Sequence, residues 1–76
     1  MHRSTLIAAK NRWLAKRLAG EFHLKRYQWK WISHPLELVK HENALEIWII
    51  GDLSNRFHQI LTDWRRRYNV RATYHG

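Results

Sequence analysis

The sequence predicts a single α+β domain over residues 1–76, with element order α-β-β-β-α-β and an antiparallel sheet carrying two helices mainly on one face. Three observations predict it. Leu53, Phe57, Ile60, Leu61, Trp64 and Tyr68 follow the spacing of an amphipathic helix. Residues 22–33 switch to a period of two and are rich in aromatic side chains, which is the pattern of a strand. Gly20, Pro35, Gly51 and Gly76 alone punctuate the chain, without linker, repeat or low-complexity tract, so nothing divides it.

A first helix is expected from a cap at Ser4 to about Leu18 or Ala19, ended by Gly20 in the left-handed conformation. At 100° per residue Ile7, Ala8, Asn11, Leu14, Ala15 and Leu18 share its core face. Trp13 falls apart from them, among Lys10, Lys16 and Arg17. In the strand that follows, Tyr27, Trp29 and Trp31 share one face and Arg26, Gln28 and Lys30 the other. The three rings either turn inward, where a small core needs large apolar groups, or outward as a stacking platform. Both readings leave the cations on the surface.

Pro35 ends that ladder. Residues 36–39 ("LELV") read as a second strand, with a short helix over 35–43 as the alternative, and 41–44 ("HENA") as a turn. Residues 45–50 ("LEIWII") are apolar on most of both faces and read as a central strand. Asp52 or Ser54 caps the second helix, and Asn69 ends it. Residues 70–74 ("VRATY") alternate as a final strand. The first five elements follow the order of double-stranded-RNA-binding domains. The turn opening the second helix, Asp52 to Asn55 with Arg56 as its one cation, lacks that family's lysine-rich phosphate-holding turn. The similarity is one of order, and no membership follows from it.

Composition narrows the function classes. A chain of this length buries only about 60% of the surface its unfolded form exposes. It has no cysteine, so neither disulfides nor thiolate-ligated zinc can staple it, and a reducing cytoplasm is the expected compartment. Oligomerisation, a homodimer for example, is a second way to bury apolar surface. The longest wholly apolar run of the predicted core strand, Ile47–Ile50, is far short of the roughly 18 residues of a membrane span. Residues 6–9 ("LIAA") are too short for the core of a secretory signal. The first twenty residues are basic and free of acids, as in a mitochondrial presequence, but they read as part of the fold.

The net charge is +8 and lopsided. Residues 1–34 hold eight cations against Glu21 alone, while residues 35–76 hold six cations against five acids. Such a field attracts polyanions, of which nucleic acid is the commonest. The expected function is therefore a small basic nucleic-acid-binding accessory protein. It would contact phosphates through Arg3, Lys10, Arg12, Lys16 and Arg17 of the first helix, with Trp13 as stacking group, and through Lys25, Arg26 and Lys30 of the first strand. Arg65, Arg66, Arg67 and Arg71 form a secondary cluster, equally explained by dipole complementarity in a last helical turn. The alternative is a protein–protein inhibitor or adaptor of the mobile-element type. It would press the same tryptophan-bearing surface into an acidic or nucleic-acid-binding groove of a larger enzyme.

Chemistry-bearing motifs are sparse. Among the six histidines none shows the i, i+4 spacing of a zinc helix, so no metal or cofactor is expected. A minimal ribonuclease using His34, His41 or His58 as proton carrier is a third reading. No nucleophile, base and orienting group can be assembled from spacing, so no catalytic residue is assigned.

Overall fold

The computed structural model describes residues 5–41, 44 and 46–75. The chain begins with strand β1 (Thr5–Ala9), followed by helix α1 (Arg12–Glu21). A 3-10 turn (Arg26–Gln28) leads into β2 (Trp29–Ile32), and a 3-10 helix (Pro35–Lys40) leads on to β3 (Glu46–Ile50). Helix α2 (Asn55–Tyr68) and β4 (Arg71–His75) complete it. All four strands are parallel, in the spatial order β2-β1-β3-β4. This corrects the expected antiparallel sheet and the expected opening helix; Ser4 and Arg3 lie outside the described residues.

The opening strand explains the error. Leu6, Ile7, Ala8 and Ala9 are all buried, because β1 lies inside the sheet and both its faces are covered. A strand covered on both faces shows a continuous apolar run instead of alternation. Leucine and alanine are also good helix formers, and Ile7, Asn11, Leu14 and Leu18 keep helical spacing across the true boundary. Asn11 marks that boundary: its side chain caps α1 by accepting the Leu14 N–H at 3.0 Å.

At its other end α1 runs through Gly20 to Glu21. The left-handed residue is His23, with φ of 56°. Leu24 N–H donates to the Ala19 carbonyl at 2.9 Å and His23 N–H to the Gly20 carbonyl at 3.1 Å, the paired bonds of a Schellman terminus.

The expected strand over residues 22–33 is reduced to Trp29–Ile32, and Tyr27 sits in the 3-10 turn. Residues 35–40 take the helical alternative, with Pro35 at the start and His34 Nδ1 accepting the Leu36 N–H at 3.2 Å. Ser54, not Asp52, caps α2: its Oγ accepts the Phe57 N–H at 3.2 Å. Asn69 ends α2 in the left-handed conformation, with φ of 54°.

Topology then distributes the helices. Parallel neighbours joined by right-handed crossovers place their connections on a face set by the direction of travel. β1 to β2 moves one way along the sheet, while β2 to β3 and β3 to β4 move the other. Accordingly α1 covers one face, and α2 with the longer 3-10 helix covers the opposite one. The α2 face packs Leu6, Ala8, Ile32, Ile47 and Ile49 against Leu38, Phe57, Leu61 and Trp64. The α1 face packs Ile7, Ala9 and Trp48 against Ala15, Leu18 and Ala19. The helices are thus not mainly on one face.

Candidate functional site

Two of the three rings that alternate in the sequence come to rest on the α1 face. Trp29 and Trp31 of the edge strand β2 are half-buried and pack against the α1-side cluster. Ile32 joins the opposite core, so the intervening Lys30 points away from α1. The Trp31 indole N–H donates to the Ala9 carbonyl at 3.1 Å, which fixes that ring against β1.

A groove of about 570 Å³ runs between α1 and β2. Arg12 and Lys16 line its helix wall, Arg26 the opposite wall, and Trp29 and Trp31 the strand side, with Lys30 at the edge. Ala19 and Gly20 also line it. A Cβ placed on Gly20 would have no neighbour within 4 Å. No carboxylate lines the groove among the described residues. Arg12 also sits in the first turn of α1, where no acidic residue offsets the positive end of the helix dipole. An anion in this groove would meet three guanidinium or ammonium groups and that dipole together.

The remaining expected contacts divide. Trp13 is 65% exposed on the solvent side of α1. Because residues 9 and 10 are not helical, its helical neighbours are Lys16 and Arg17 only. The Arg17 guanidinium lies 5.6 Å from its ring centroid, within cation–π range. Arg17 also approaches Glu21 at 3.7 Å, an exposed i, i+4 pair of small energetic worth. Lys10 and Lys25 are exposed at the two ends of α1's connections.

The secondary cluster is carried by the opposite face and the far edge. Arg65 Nε donates to the Val70 carbonyl at 3.3 Å, bracing the end of α2. Arg67 borders an apolar cleft of about 180 Å³ between α2 and the longer 3-10 helix, and Arg66 is exposed. Arg71 pairs in register with Glu46 across β4 and β3.

The three histidines considered as proton carriers are spread out. His34 and His41 bracket the longer 3-10 helix, and His58 lies on α2. Burial first, then the positive charge of Lys30 and of Lys40, holds the His41 imidazole below its ordinary pKa, with Glu37 opposing. No cluster of three or more metal-ligating side chains occurs among the described residues.

Parallel sheets often bind ligands where adjacent strands send their connections in opposite directions. Here that point is the pair of carboxyl ends of β1 and β3. A cleft of about 520 Å³ opens beside it, lined by Leu14, Ile50, Gly51, Tyr74 and His75, but it holds the carboxylate of Glu21 beside its one cation, Arg17, and Asn11 spends its side chain on capping. The turn between β1 and α1, Lys10-Asn11, also lacks the glycines that let a backbone approach a pyrophosphate.

Spacing alone did not reveal Leu24, Ala19 and Gly20 as groove residues. The usable signal was two adjacent small residues at the end of α1 facing a tryptophan-rich strand. The protein is therefore a small parallel sheet covered by helices on both faces, with one basic, indole-lined groove. No family model matches the chain, and no curated protein or solved structure matches it.

Proposed function

We propose that the protein binds nucleic acid through phosphate contacts in the groove between α1 and β2. The observation that carries this reading is the convergence of Arg12, Lys16 and Arg26 on one groove without a described carboxylate, with Lys30 at its edge. Cations of one sign crowded together repel, and their arrangement costs stability unless a polyanion neutralises them. No helix among the described residues is long and apolar enough to cross a membrane. The cytoplasm, where nucleic acid is accessible to a cysteine-free protein, is the compartment this reading implies.

Counterion release supplies the test. With about four phosphates neutralised, log affinity for a labelled oligonucleotide falls with log salt at a slope of about −3 to −4. Replacing Arg12, Lys16 and Arg26 together by glutamine reduces that slope by about 2 to 3. Because all three side chains are exposed, their loss changes folding stability by no more than about 0.5 kcal/mol. A slope near zero in the unaltered protein overturns the reading.

A further inference from the structure

We infer that the groove selects single-stranded over duplex nucleic acid, an inference that rests on the phosphate-binding reading and narrows it. Cations alone do not discriminate strandedness, since both forms offer phosphates. The rings beside them do. Trp29 and Trp31 line the groove between its cationic walls. Tyr27, 58% exposed, lies in the 3-10 turn between the groove residues Arg26 and Trp29.

Aromatic side chains interleaved with cations bind by stacking on base faces, and every base has such a face. In a duplex those faces are covered by neighbouring base pairs. Only unpaired bases reach a ring recessed in a groove. A duplex laid on this surface would touch the groove with one phosphate ridge and leave Trp29 and Trp31 unused.

The dimensions agree. From Arg12 to Gly20 α1 advances about 12 Å at 1.5 Å per residue. That length accommodates about three or four nucleotides at a stacked rise of about 3.4 Å. Trp29 and Trp31, two positions apart on one strand face, are separated by about 6.6 Å, close to two such rises. The Trp31 bond to the Ala9 carbonyl holds its ring in place before any ligand arrives.

The test compares a thymine oligomer of about twelve nucleotides with a hairpin of equal phosphate count whose strands are joined by a non-nucleotide linker in place of a loop, at one salt concentration, read by tryptophan fluorescence. The single strand is expected to bind at least tenfold more tightly and to quench fluorescence. Tyr27→Ala and Trp29→Leu are each expected to weaken the single strand about fivefold or more and to leave the hairpin unchanged. Tyr27 is more than half exposed, and leucine keeps the apolar packing of the half-buried Trp29, so the variants retain the fold. Equal or tighter hairpin binding overturns the selection for single strands while phosphate binding stands. Tighter single-strand binding that survives both substitutions overturns the stacking role of these rings. If neither ligand binds, the phosphate-binding reading itself falls.

Discussion

On the α2 side of the sheet, Phe57, Leu61, Trp64 and Leu38 close over Leu6, Ala8, Ile32, Ile47 and Ile49. On the α1 side, alanines at positions 9, 15 and 19 let the shorter helix approach, and Trp29, Trp31, Leu14 and Leu24 are only half-buried around it. The first face is closed over the sheet, with a small cleft of about 180 Å³ between α2 and the longer 3-10 helix, and the second is flanked by larger grooves of about 570 and 520 Å³. One helix of ten residues cannot cover four strands, so the α1 face keeps its edges open. The difference teaches a division of labour in a chain too small to spare residues for both tasks. Large apolar groups hold the fold from one side, and the other side keeps indoles and cations at the surface, where the proposed nucleic-acid contact would use them.

Truncating one leucine on each face is the most direct way to break this comparison. Leu61 is 1% exposed in the core of the closed face. Leu61→Ala is expected to cost about 2–5 kcal/mol, the range for buried leucines. That is a large share of the roughly 5–15 kcal/mol that holds domains folded, and urea denaturation will show it as a fall in midpoint. Leu14, half-buried and bordering a groove, is expected to lose about 1–2 kcal/mol on the same change. Equal losses would show that the α1 face is as structural as the other.

The closed face was also the legible one. Helix α2 follows from its spacing, its Ser54 cap and its Asn69 terminus, because an amphipathic helix against one core prints its period directly into the sequence. The central position of β3 was readable for the same reason: "IWII" has no polar face. The parallel order was not readable. It depends on β1, whose five residues carry no alternation and whose leucine and alanines suit a helix equally.

With a helix expected in place of β1, the strand–helix alternation that announces a parallel sheet is absent from the sequence pattern. The groove was half legible. The alternation of Trp29, Lys30 and Trp31 gave the correct opposition of faces, but Tyr27 broke it by entering a turn. Arg12 and Lys16 were singled out by charge. That they face Arg26 across two indoles is set by the crossover, which spacing does not encode.

The two helix ends sharpen the comparison at a smaller scale. His23 closes α1 and Asn69 closes α2, both in the left-handed conformation. A side chain with a full Cβ loses about 1 kcal/mol there, whereas asparagine is tolerated by local hydrogen bonding. His23→Gly is therefore expected to stabilise the protein by about 0.5–1 kcal/mol, and Asn69→Gly to change it by less. Thermal unfolding distinguishes them. A gain at Asn69 as large as that at His23 would mean that both ends bear the same strain.

The smallest effect concerns the cation that belongs to both faces. Lys30 borders the groove through its strand, yet its charge reaches His41 on the other side of the sheet and helps hold that imidazole below its ordinary pKa. The imidazole proton is thus bound more tightly in the unfolded chain, where His41 titrates near 6.5. Above that pH both states are neutral and the full stability is present. Below it protonation favours unfolding, and stability falls until the folded value is passed. NMR titration of His41 is expected to give a midpoint under 6.5, raised toward it in Lys30→Gln. If the midpoint does not move, the charge of Lys30 is directed into the groove, and the two faces do not share it.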